Sequence, residues 1–178
     1  RRPKKLQAEI VRFQNNNEKW IAVVGLLNNR PYEICTGRAE DSFFLPVWIT
    51  QGWVLKKRDN KGKSRYDFQY LDKEGYRVTI EGLSRSFEKE YWNYAKLISS
   101  VLRHGMPIHF VVDLVEHLNL YDESINTWKN GIARTLKKFI PNGTHVKGHI
   151  CQECGDPDGL IYEEGCLKCK SCGLSKCG

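Results

Sequence analysis

The sequence predicts an α+β fold, with an antiparallel β-rich N-terminal part followed by about three helices and a small cysteine-rich module. Two observations carry this prediction. The spacing of apolar residues changes from a period of about two residues to a helical period after about residue 85. Six of the seven cysteines lie within the last 28 residues. Strands that precede helices along a chain, rather than alternating with them, are typical of α+β domains.

Six segments of the N-terminal part are rich in β-branched and aromatic residues, which predicts six strands. Turns are expected at Asn28–Pro31, Asp59–Gly62 and Asp72–Gly75, because asparagine, aspartate, proline and glycine favour reversal of the chain. The predicted strands lie at residues 8–11, 20–27, 32–36, 52–58, 64–70 and 76–80.

Three amphipathic segments predict helices. The first has Ser86 as its expected N-cap and Gly105 as its expected C′ residue. The second has Pro107 in its first turn, and the third is capped by Asp122 or Ser124. The apolar faces comprise Tyr91, Tyr94, Ile98 and Val101, then Val111, Leu114, Val115 and Leu118, then Ile125, Trp128, Ile132 and Leu136.

These patterns divide the chain into an entering linker, an α+β domain, a second linker and the cysteine module. The entering linker is basic and contains Pro3, and the second begins at Pro141, where the last helix is expected to end. Met106 is the only methionine, so we expect the chain to be part of a longer protein. The four regions are residues 1–5, 6–140, 141–149 and 150–178.

The chain carries 28 lysine and arginine residues against 21 aspartates and glutamates, a formal net charge of +7. This charge permits attraction to nucleic acid or to an acidic surface, but lysines spread over solvated faces give the same number. The longest apolar run, Trp20–Leu27, is too short to cross a bilayer as a helix, and no signal peptide is recognised. We therefore expect a cytoplasmic protein without membrane contact.

Two cysteine pairs share the form Cys-x-x-Cys-Gly, at Cys151–Gly155 and Cys169–Gly173. Two residues between the thiolates let one tight turn direct both sulfurs at one ion, and the glycine relieves a strained backbone conformation. The 14 residues between the pairs suffice for a hairpin that brings both turns together, and thiolates favour zinc over calcium or magnesium. The predicted zinc-ribbon ligands are Cys151, Cys154, Cys169 and Cys172.

Cys166 and Cys177 lie three residues before and five residues after the second pair, on the two arms of the predicted hairpin. Lys168, Lys170 and Lys176 are close in sequence. Nearby cations favour the thiolate that attacks disulfides, so Cys166 and Cys177 are candidates for a redox pair. The alternative is that they are spare ligands or inert thiols.

A second partition of the cysteines assigns Cys166 and Cys169 to zinc and leaves Cys172 and Cys177 as the redox pair. The first partition is favoured because glycine follows Cys154 and Cys172 but does not follow Cys169.

The tail from Tyr162 to Gly178 resembles the cysteine-rich C-terminus of adenosylcobalamin-dependent (class II) ribonucleotide reductases. The opening Arg2–Lys4 resembles the segment that leaves the catalytic barrel of these enzymes. The segments that resemble the region before the tail are Glu81–Arg85, Tyr91–Lys96, Leu102–Pro107 and Asn126–Gly131.

The resemblance implies the C-terminal part of a ribonucleoside-diphosphate reductase, an oxidoreductase that makes deoxyribonucleotides for DNA synthesis. In that family, tail cysteines re-reduce an oxidised cysteine pair in the active site, a role that falls here on Cys166 and Cys177. Adenosylcobalamin belongs to the upstream barrel, so the chain alone is not expected to reduce nucleotides. Cys35 stands alone in a predicted strand and is expected to be a buried, inert thiol. The implied partners are the barrel of the same polypeptide, an external thiol reductant and further copies of the chain.

The alternative function is a nucleic-acid-binding zinc ribbon. The basic balance favours it, and Trp48, Trp53 and Tyr66 would supply stacking surfaces. Such a module has no use for two spare thiols, so direct nucleic-acid binding is disfavoured. His149 precedes the first cysteine pair, but four thiolates make it unnecessary as a ligand, and the other histidines are expected to be packed or solvated.

Overall fold

The computed structural model contains ten strands and four helices in the described parts of the chain, with six strands before the first helix. The predicted α+β fold class is confirmed. For Asn15 and residues 123–127, only the backbone is described. The described residues are 1–15, 17–39, 44–119 and 123–177.

The chain divides into two compact units, Arg1–Met106 and Pro107–Gly178. Each has its own sheet. The domain and linker boundaries predicted from the sequence remain predictions. None of the helices in the described parts has the length and apolar character that a membrane span requires.

The first unit is built on a six-stranded antiparallel sheet with the order β3-β2-β1-β4-β5-β6. All six strands predicted from the sequence are present. Their bounds are Lys5–Asn15, Glu18–Leu27, Arg30–Arg38, Gln51–Arg58, Ser64–Leu71 and Arg77–Ile80 for β1 to β6.

The turn between β2 and β3 follows from two asparagines. Asn28 and Asn29 have φ angles of 52° and 61°, so both occupy the left-handed region that asparagine tolerates better than most residues. A two-residue turn with positive φ at both positions matches the twist of the flanking strands. The turn pairs Leu27 with Arg30, and a β-bulge between Gly25 and Leu26 then shifts the register, so that Val24 faces Ile34 and Ala22 faces Thr36. Residues 20–26 of β2 are all buried.

Two helices complete the first unit, α1 at Leu83–Ser86 and α2 at Lys89–Arg103. The prediction of Ser86 as N-cap is wrong, because Ser86 ends α1 and the N-cap of α2 is Glu88. The extended backbone of Phe87 separates the two helices. The prediction for Gly105 is confirmed, since it follows the C-cap with a φ of 83°.

Ser99 joins α2 to the edge strand β3. Its hydroxyl accepts a hydrogen bond from Ile34 N–H at 3.0 Å and donates one to Ile34 O at 3.1 Å. Both bonds are buried. The helix therefore satisfies backbone groups that an edge strand leaves unpaired.

A buried carboxylate on β5 links this strand to β4 and to the residues that follow β6. Asp67 on β5 is fully buried and accepts hydrogen bonds from Gly82 N–H and from Arg65 Nη2, each at 3.0 Å. Lys57 Nζ lies 3.3 Å from Asp67 Oδ2. Burial by itself raises the pKa of a carboxyl, but these donors outweigh it and lower the pKa of Asp67 below its ordinary value.

We expect Asp67→Asn to destabilise the first unit by about 1–3 kcal/mol at neutral pH, because a charge-assisted network loses its acceptor. The stability from a lowered carboxyl pKa is fully present above the unfolded pKa of about 3.9, and it is lost as pH falls through the folded value. Urea unfolding should therefore separate the variant from wild type at pH 7 and bring the two together as the pH falls through the lowered folded pKa of Asp67. The control is Glu81→Gln, which removes an exposed carboxylate 3.3 Å from the same Arg65. An equal loss in both variants contradicts the prediction.

The second unit begins with two packed helices, α3 at Ile108–Glu116 and α4 at Glu123–Lys137. Pro107 is the N-cap of α3 and does not lie in its first turn. Of the predicted caps of α4, Asp122 lies outside the described residues and Ser124 lies within the helix. Among the residues of the two helices whose side chains are described, the buried ones are Ile108, Val111, Val112, Val115, Trp128, Gly131, Ile132, Ala133, Thr135 and Leu136.

The predicted apolar face of α3 is only partly buried. Val111 and Val115 are buried, whereas Leu114 is 46% exposed and Leu118 is 38% exposed. A four-stranded antiparallel sheet with the order β10-β9-β8-β7 follows the helices. Its strands are Thr144–His145, Leu160–Glu163, Cys166–Cys169 and Ser175–Lys176 for β7 to β10.

Candidate functional site: a four-cysteine cluster beside a disulfide

The second sheet brings the cysteines together through two successive reversals. The first joins β8 to β9 through Glu164 and Gly165, whose φ angles are 50° and 77°. The second, between β9 and β10, is the second Cys-x-x-Cys turn itself. Cys169, the last residue of β9, is fully buried with Cys151 and Leu160 in a small core.

Both cysteine turns have the same backbone geometry. Gly155 N–H donates to Cys151 O at 2.8 Å, and Gly173 N–H donates to Cys169 O at 2.9 Å. The φ angles of the two glycines are 73° and 80°, in the left-handed region that a side chain makes costly. The predicted role of the glycine after each second cysteine is therefore confirmed.

The four sulfurs lie within 4.8 Å of one another. Cys151 Sγ is 3.6 Å from Cys172 Sγ, and Cys154 Sγ is 3.7 Å from Cys169 Sγ. A tetrahedral site with metal–sulfur bonds of about 2.3 Å has edges of about 3.8 Å. The separations thus fit a tetrahedral metal ion with four thiolate ligands, and they are compatible with zinc.

The electrostatics of the cluster also fit a cation. Backbone N–H groups of Cys154 and Glu153 donate to the sulfur of Cys151 and lower its pKa to about 7. The pKa of Cys154 is raised to about 12: the Asp156 N–H lowers it, but burial and the neighbouring thiols outweigh that donor. Four thiolates at these distances repel one another, so a doubly charged ion is the natural counter-charge.

Asp156 and Ser171 support the cluster from outside, and neither was predicted as a site residue from the sequence. The Ser171 hydroxyl donates to Asp156 Oδ2 and joins the two cysteine turns, and Asp158 N–H donates to Asp156 Oδ1 at 2.8 Å. These hydrogen bonds lower the pKa of Asp156, the Ser171 bond most strongly. The only signal in the sequence is a serine inside the second Cys-x-x-Cys turn.

Gly159 lies between the carboxylate of Asp156 and the sulfur of Cys169. A Cβ atom added there would lie 2.9 Å from Cys169 Sγ and 2.8 Å from Asp156 Oδ2. We expect Gly159→Ala to lower zinc affinity about 10–100-fold, because it displaces both a ligand and its support. Competition with a chromophoric chelator measures this affinity. The control is Gly143→Ala, which strains a backbone with a φ of 83° but places its Cβ against nothing within 4 Å, so it reports general strain away from the ligands. Equal affinities for the two variants would contradict this role.

A disulfide joins Cys166 to Cys177, with Cα atoms 4.4 Å apart. The antiparallel register explains the pairing. Ser175 faces Lys168 and Lys176 faces Leu167, so the next position along β10 faces Cys166. The structure groups the sulfurs as the first partition does, while the assignment of zinc to the four thiols and the redox role of the pair stay predictions.

The lysines expected near the pair differ in their contacts. Lys168 is ion-paired with Glu163 on β8, so its charge is largely compensated. Lys176 Nζ donates to Gln152 Oε1 at 3.3 Å, and Lys170 is exposed. The fifth free thiol, Cys35, is buried in the first unit, and burial raises its pKa far above the ordinary value.

The aromatic residues considered for base stacking belong to the first unit. Trp48 is 42% exposed, and Lys73 Nζ lies 5.5 Å from the centre of its ring. Trp53 and Tyr66 are partly buried in the sheet, each with a lysine over its ring. Tyr66 also packs edge-on against Trp92, with ring centroids 6.0 Å apart.

Comparison with known proteins agrees with these observations. The sequence model of the family described as "NrdJ homologue C-terminal domain" matches residues 6–141, about three quarters of the chain. No curated protein and no solved structure matches the chain. NrdJ is the class II ribonucleotide reductase, and the cysteine-rich tail follows the matched segment. The chain therefore belongs to the NrdJ homologue C-terminal domain family, and the predicted resemblance to the C-terminal region of class II ribonucleotide reductases is confirmed.

Proposed function

We propose that this chain is the electron-delivery region of an adenosylcobalamin-dependent ribonucleotide reductase. Cys166 and Cys177 relay reducing equivalents to the disulfide that each turnover leaves in the active site. The observation that carries the proposal is the bond between these two sulfurs, on strand arms next to a four-thiol cluster. Cys177 is exposed, so its sulfur has access to a partner.

The relay is a pair of thiol–disulfide exchanges. The thiolate of Cys177 attacks one sulfur of the active-site disulfide, whose second sulfur leaves as a thiolate. The thiolate of Cys166 then attacks Cys177 in the mixed disulfide and releases the other active-site thiolate. The active-site pair gains two electrons and takes up two protons, and the Cys166–Cys177 disulfide re-forms. A thiol reductant returns it to the dithiol.

The four-cysteine cluster holds the redox pair in place. Cys151, Cys154, Cys169 and Cys172 would bind zinc, which supplies a fixed tetrahedral link between the two turns. Cys169 ends the strand that starts at Cys166, and the chain returns through Cys172 to Cys177. A metal-clamped turn therefore keeps the two redox sulfurs opposite each other in both oxidation states.

The remaining parts of the reaction belong to other components. Adenosylcobalamin and the active-site cysteines lie in the catalytic barrel of the same polypeptide, and the external reductant is a thiol. The assembly is a cytoplasmic homo-oligomer. Leu114 on α3 and Leu118, two residues beyond its C-terminal end, are exposed apolar residues that provide surface for such contacts.

A count of products without external reductant tests the relay. Fully reduced full-length enzyme should form about two deoxynucleotides per chain, one from the active-site dithiol and one from the tail pair. With Cys166→Ser and Cys177→Ser together, the count should fall to about one at an unchanged initial rate. An unchanged count in the double variant would show that the tail pair stores no usable electrons.

A basic surface on the first unit favours nucleic-acid binding as the second candidate function. Lys4, Lys56, Lys57 and Arg58 line one open depression of about 1070 Å³. Binding of single-stranded DNA by this surface predicts a steep fall in affinity with salt, because lysine contacts release counterions. Lys56→Gln with Arg58→Gln should then reduce the salt slope by about two. The absence of salt-dependent binding rejects this candidate.

A further inference from the structure

A cleft of about 860 Å³ lies within the second unit, beside the disulfide. Its walls come from α3, from the residues around β7 and from β8 to β10. Cys177 lines the cleft and is exposed, whereas Cys166 is partly buried. The volume lies within the range of about 300–1,000 Å³ that small-molecule sites occupy. A small molecule in the cleft could therefore reach the sulfur of Cys177.

The charge around the cleft is positive. Lys147 and Lys176 line it from different segments, and neither forms an ion pair with any described residue. Its two acidic side chains have partners of their own: Glu116 is ion-paired with Lys137, and Asp113 lies 3.3 Å from His117, which completes an ion pair when that histidine is protonated. Four of the five histidines also line it, namely His109, His117, His145 and His149.

Apolar groups lie between these charges. Phe110 on α3 is 53% exposed, and Val146, Tyr162 and Leu167 complete the wall. Burial raises the pKa of Tyr162, and Glu116 and Asp113 raise it further, so its ring remains a neutral surface at physiological pH. A molecule with carboxylates and an aliphatic or peptide backbone fits this combination.

We propose that the cleft binds a low-molecular-weight thiol that carries carboxylates, and that this thiol attacks Sγ of Cys177. The inference rests on the proposed function, since it names the reductant class for the same cysteine pair. The lysines hold the carboxylates, the apolar wall contacts the carbon chain, and the exposed sulfur lies at the edge of the bound molecule. Cys166, which is less accessible, is the leaving group.

The step balances as a two-electron reduction. The thiolate of the first thiol molecule forms a bond to Sγ of Cys177, the Cys166–Cys177 bond breaks, and Cys166 leaves as a thiolate that takes up a proton. A second thiol molecule attacks the mixed disulfide at the sulfur of the first and releases Cys177 as a thiolate, which is also protonated. Two thiols are oxidised to one disulfide, and one protein disulfide becomes two thiols.

Glutathione and its diethyl ester are suitable probes, because they share a thiol and differ in their carboxylates. The measurement is the second-order rate constant for opening the Cys166–Cys177 disulfide in the full 178-residue chain, with dithiothreitol as a neutral reference. We expect glutathione to react about fivefold faster than the ester at low salt, and the ratio to approach one in 0.5 M salt. Quenched samples should carry glutathione on Cys177 and a free thiol on Cys166.

Lys147→Gln with Lys176→Gln should bring the glutathione-to-ester ratio to about one, while the dithiothreitol rate reports whether the disulfide remains accessible. The matched control is Lys61→Gln with Lys138→Gln, two exposed lysines outside the cleft that give the same change in net charge. The control should keep the wild-type ratio.

Three results with glutathione overturn the inference: a ratio near one in wild type, a ratio that both double variants lower equally, or glutathione on Cys166. Reduction by a protein dithiol that is faster than by glutathione and insensitive to Lys147 and Lys176 also overturns it, in favour of a protein reductant. The product count is independent of these results. If the enzyme forms about two deoxynucleotides per chain but the glutathione-to-ester ratio is near one, only the proposed thiol binding in the cleft is rejected. If the ratio is high but the double cysteine variant forms as many deoxynucleotides as wild type, the relay is rejected.

Discussion

Steady-state nucleotide reduction by the full-length enzyme is expected to fall by a factor of about 10²–10⁴ when Cys177 is replaced by serine. The tail pair acts as a tethered reductant with a high effective concentration at the active site, and its loss leaves only direct, bimolecular reduction. The measurement is deoxynucleotide formation over many turnovers with a limiting thiol reductant. Cys166→Ser should give the same loss, because a mixed disulfide at Cys177 then has no resolving thiol.

Cys35→Ala is the matched control for this prediction. Cys35 belongs neither to the disulfide nor to the four-thiol cluster, it is 7% exposed, and its raised pKa keeps it as the unreactive thiol. Its replacement should leave turnover unchanged and thiol-labelling kinetics unaltered in the fast phase. If Cys35→Ala reduces turnover as much as Cys177→Ser, the loss reflects damage to the fold and not removal of an electron carrier.

A high concentration of a small dithiol gives a second diagnostic. Such a reagent can reach the active-site disulfide without the tail, so it should restore turnover of Cys177→Ser in proportion to its concentration. Wild-type turnover should reach a plateau under the same conditions. Failure of the dithiol to restore any activity would indicate that Cys177 is needed for a step other than re-reduction.

The sequence was most informative where chemistry requires fixed local spacing. The two Cys-x-x-Cys-Gly turns and the register that brings Cys177 opposite Cys166 depend only on neighbours along a hairpin, so they could be anticipated. The six strands were recognised for a similar reason, since turn residues such as Asn28 and Asn29 act within a few positions.

Features that depend on tertiary contacts could not be anticipated. Ser86 has the chemistry of an N-cap, but the backbone at Phe87 is extended and α2 starts after Glu88. The hydrogen bond from Ser171 to Asp156 joins residues 15 positions apart, and no local sequence pattern predicts it. The four histidines around the cleft come from α3 and from the segment around β7, and sequence alone gave no reason to group them.

Removal of the metal is expected to unfold the ribbon and leave the first unit folded. The small core around Cys151, Leu160 and Cys169 holds few apolar side chains, so the folding free energy of the ribbon must come largely from metal binding. Structural zinc in small peptides contributes about 10–16 kcal/mol of apparent binding free energy at pH 7. After a strong chelator, hydrogen exchange should therefore reach the unprotected limit in residues 150–177 and remain slow in β1 to β5.

Single and double variants separate the two partitions of the cysteines. Cys154→Ser, Cys169→Ser and Cys172→Ser should each lower zinc content well below one per chain and remove protection from the ribbon. Cys166→Ser with Cys177→Ser should retain one zinc, because neither sulfur belongs to the four-thiol cluster.

Retention of zinc by Cys172→Ser, together with its loss from Cys166→Ser, would support the second partition and transfer the redox role to Cys172 and Cys177. Under the first partition, the buried Cys169 and the exposed Cys172 are both zinc ligands, so Cys169→Ser and Cys172→Ser must both lose zinc. The metal and the redox pair then have separate tasks. The four thiolates fold the hairpin, and the fold keeps Cys166 beside Cys177 so that each disulfide exchange remains intramolecular.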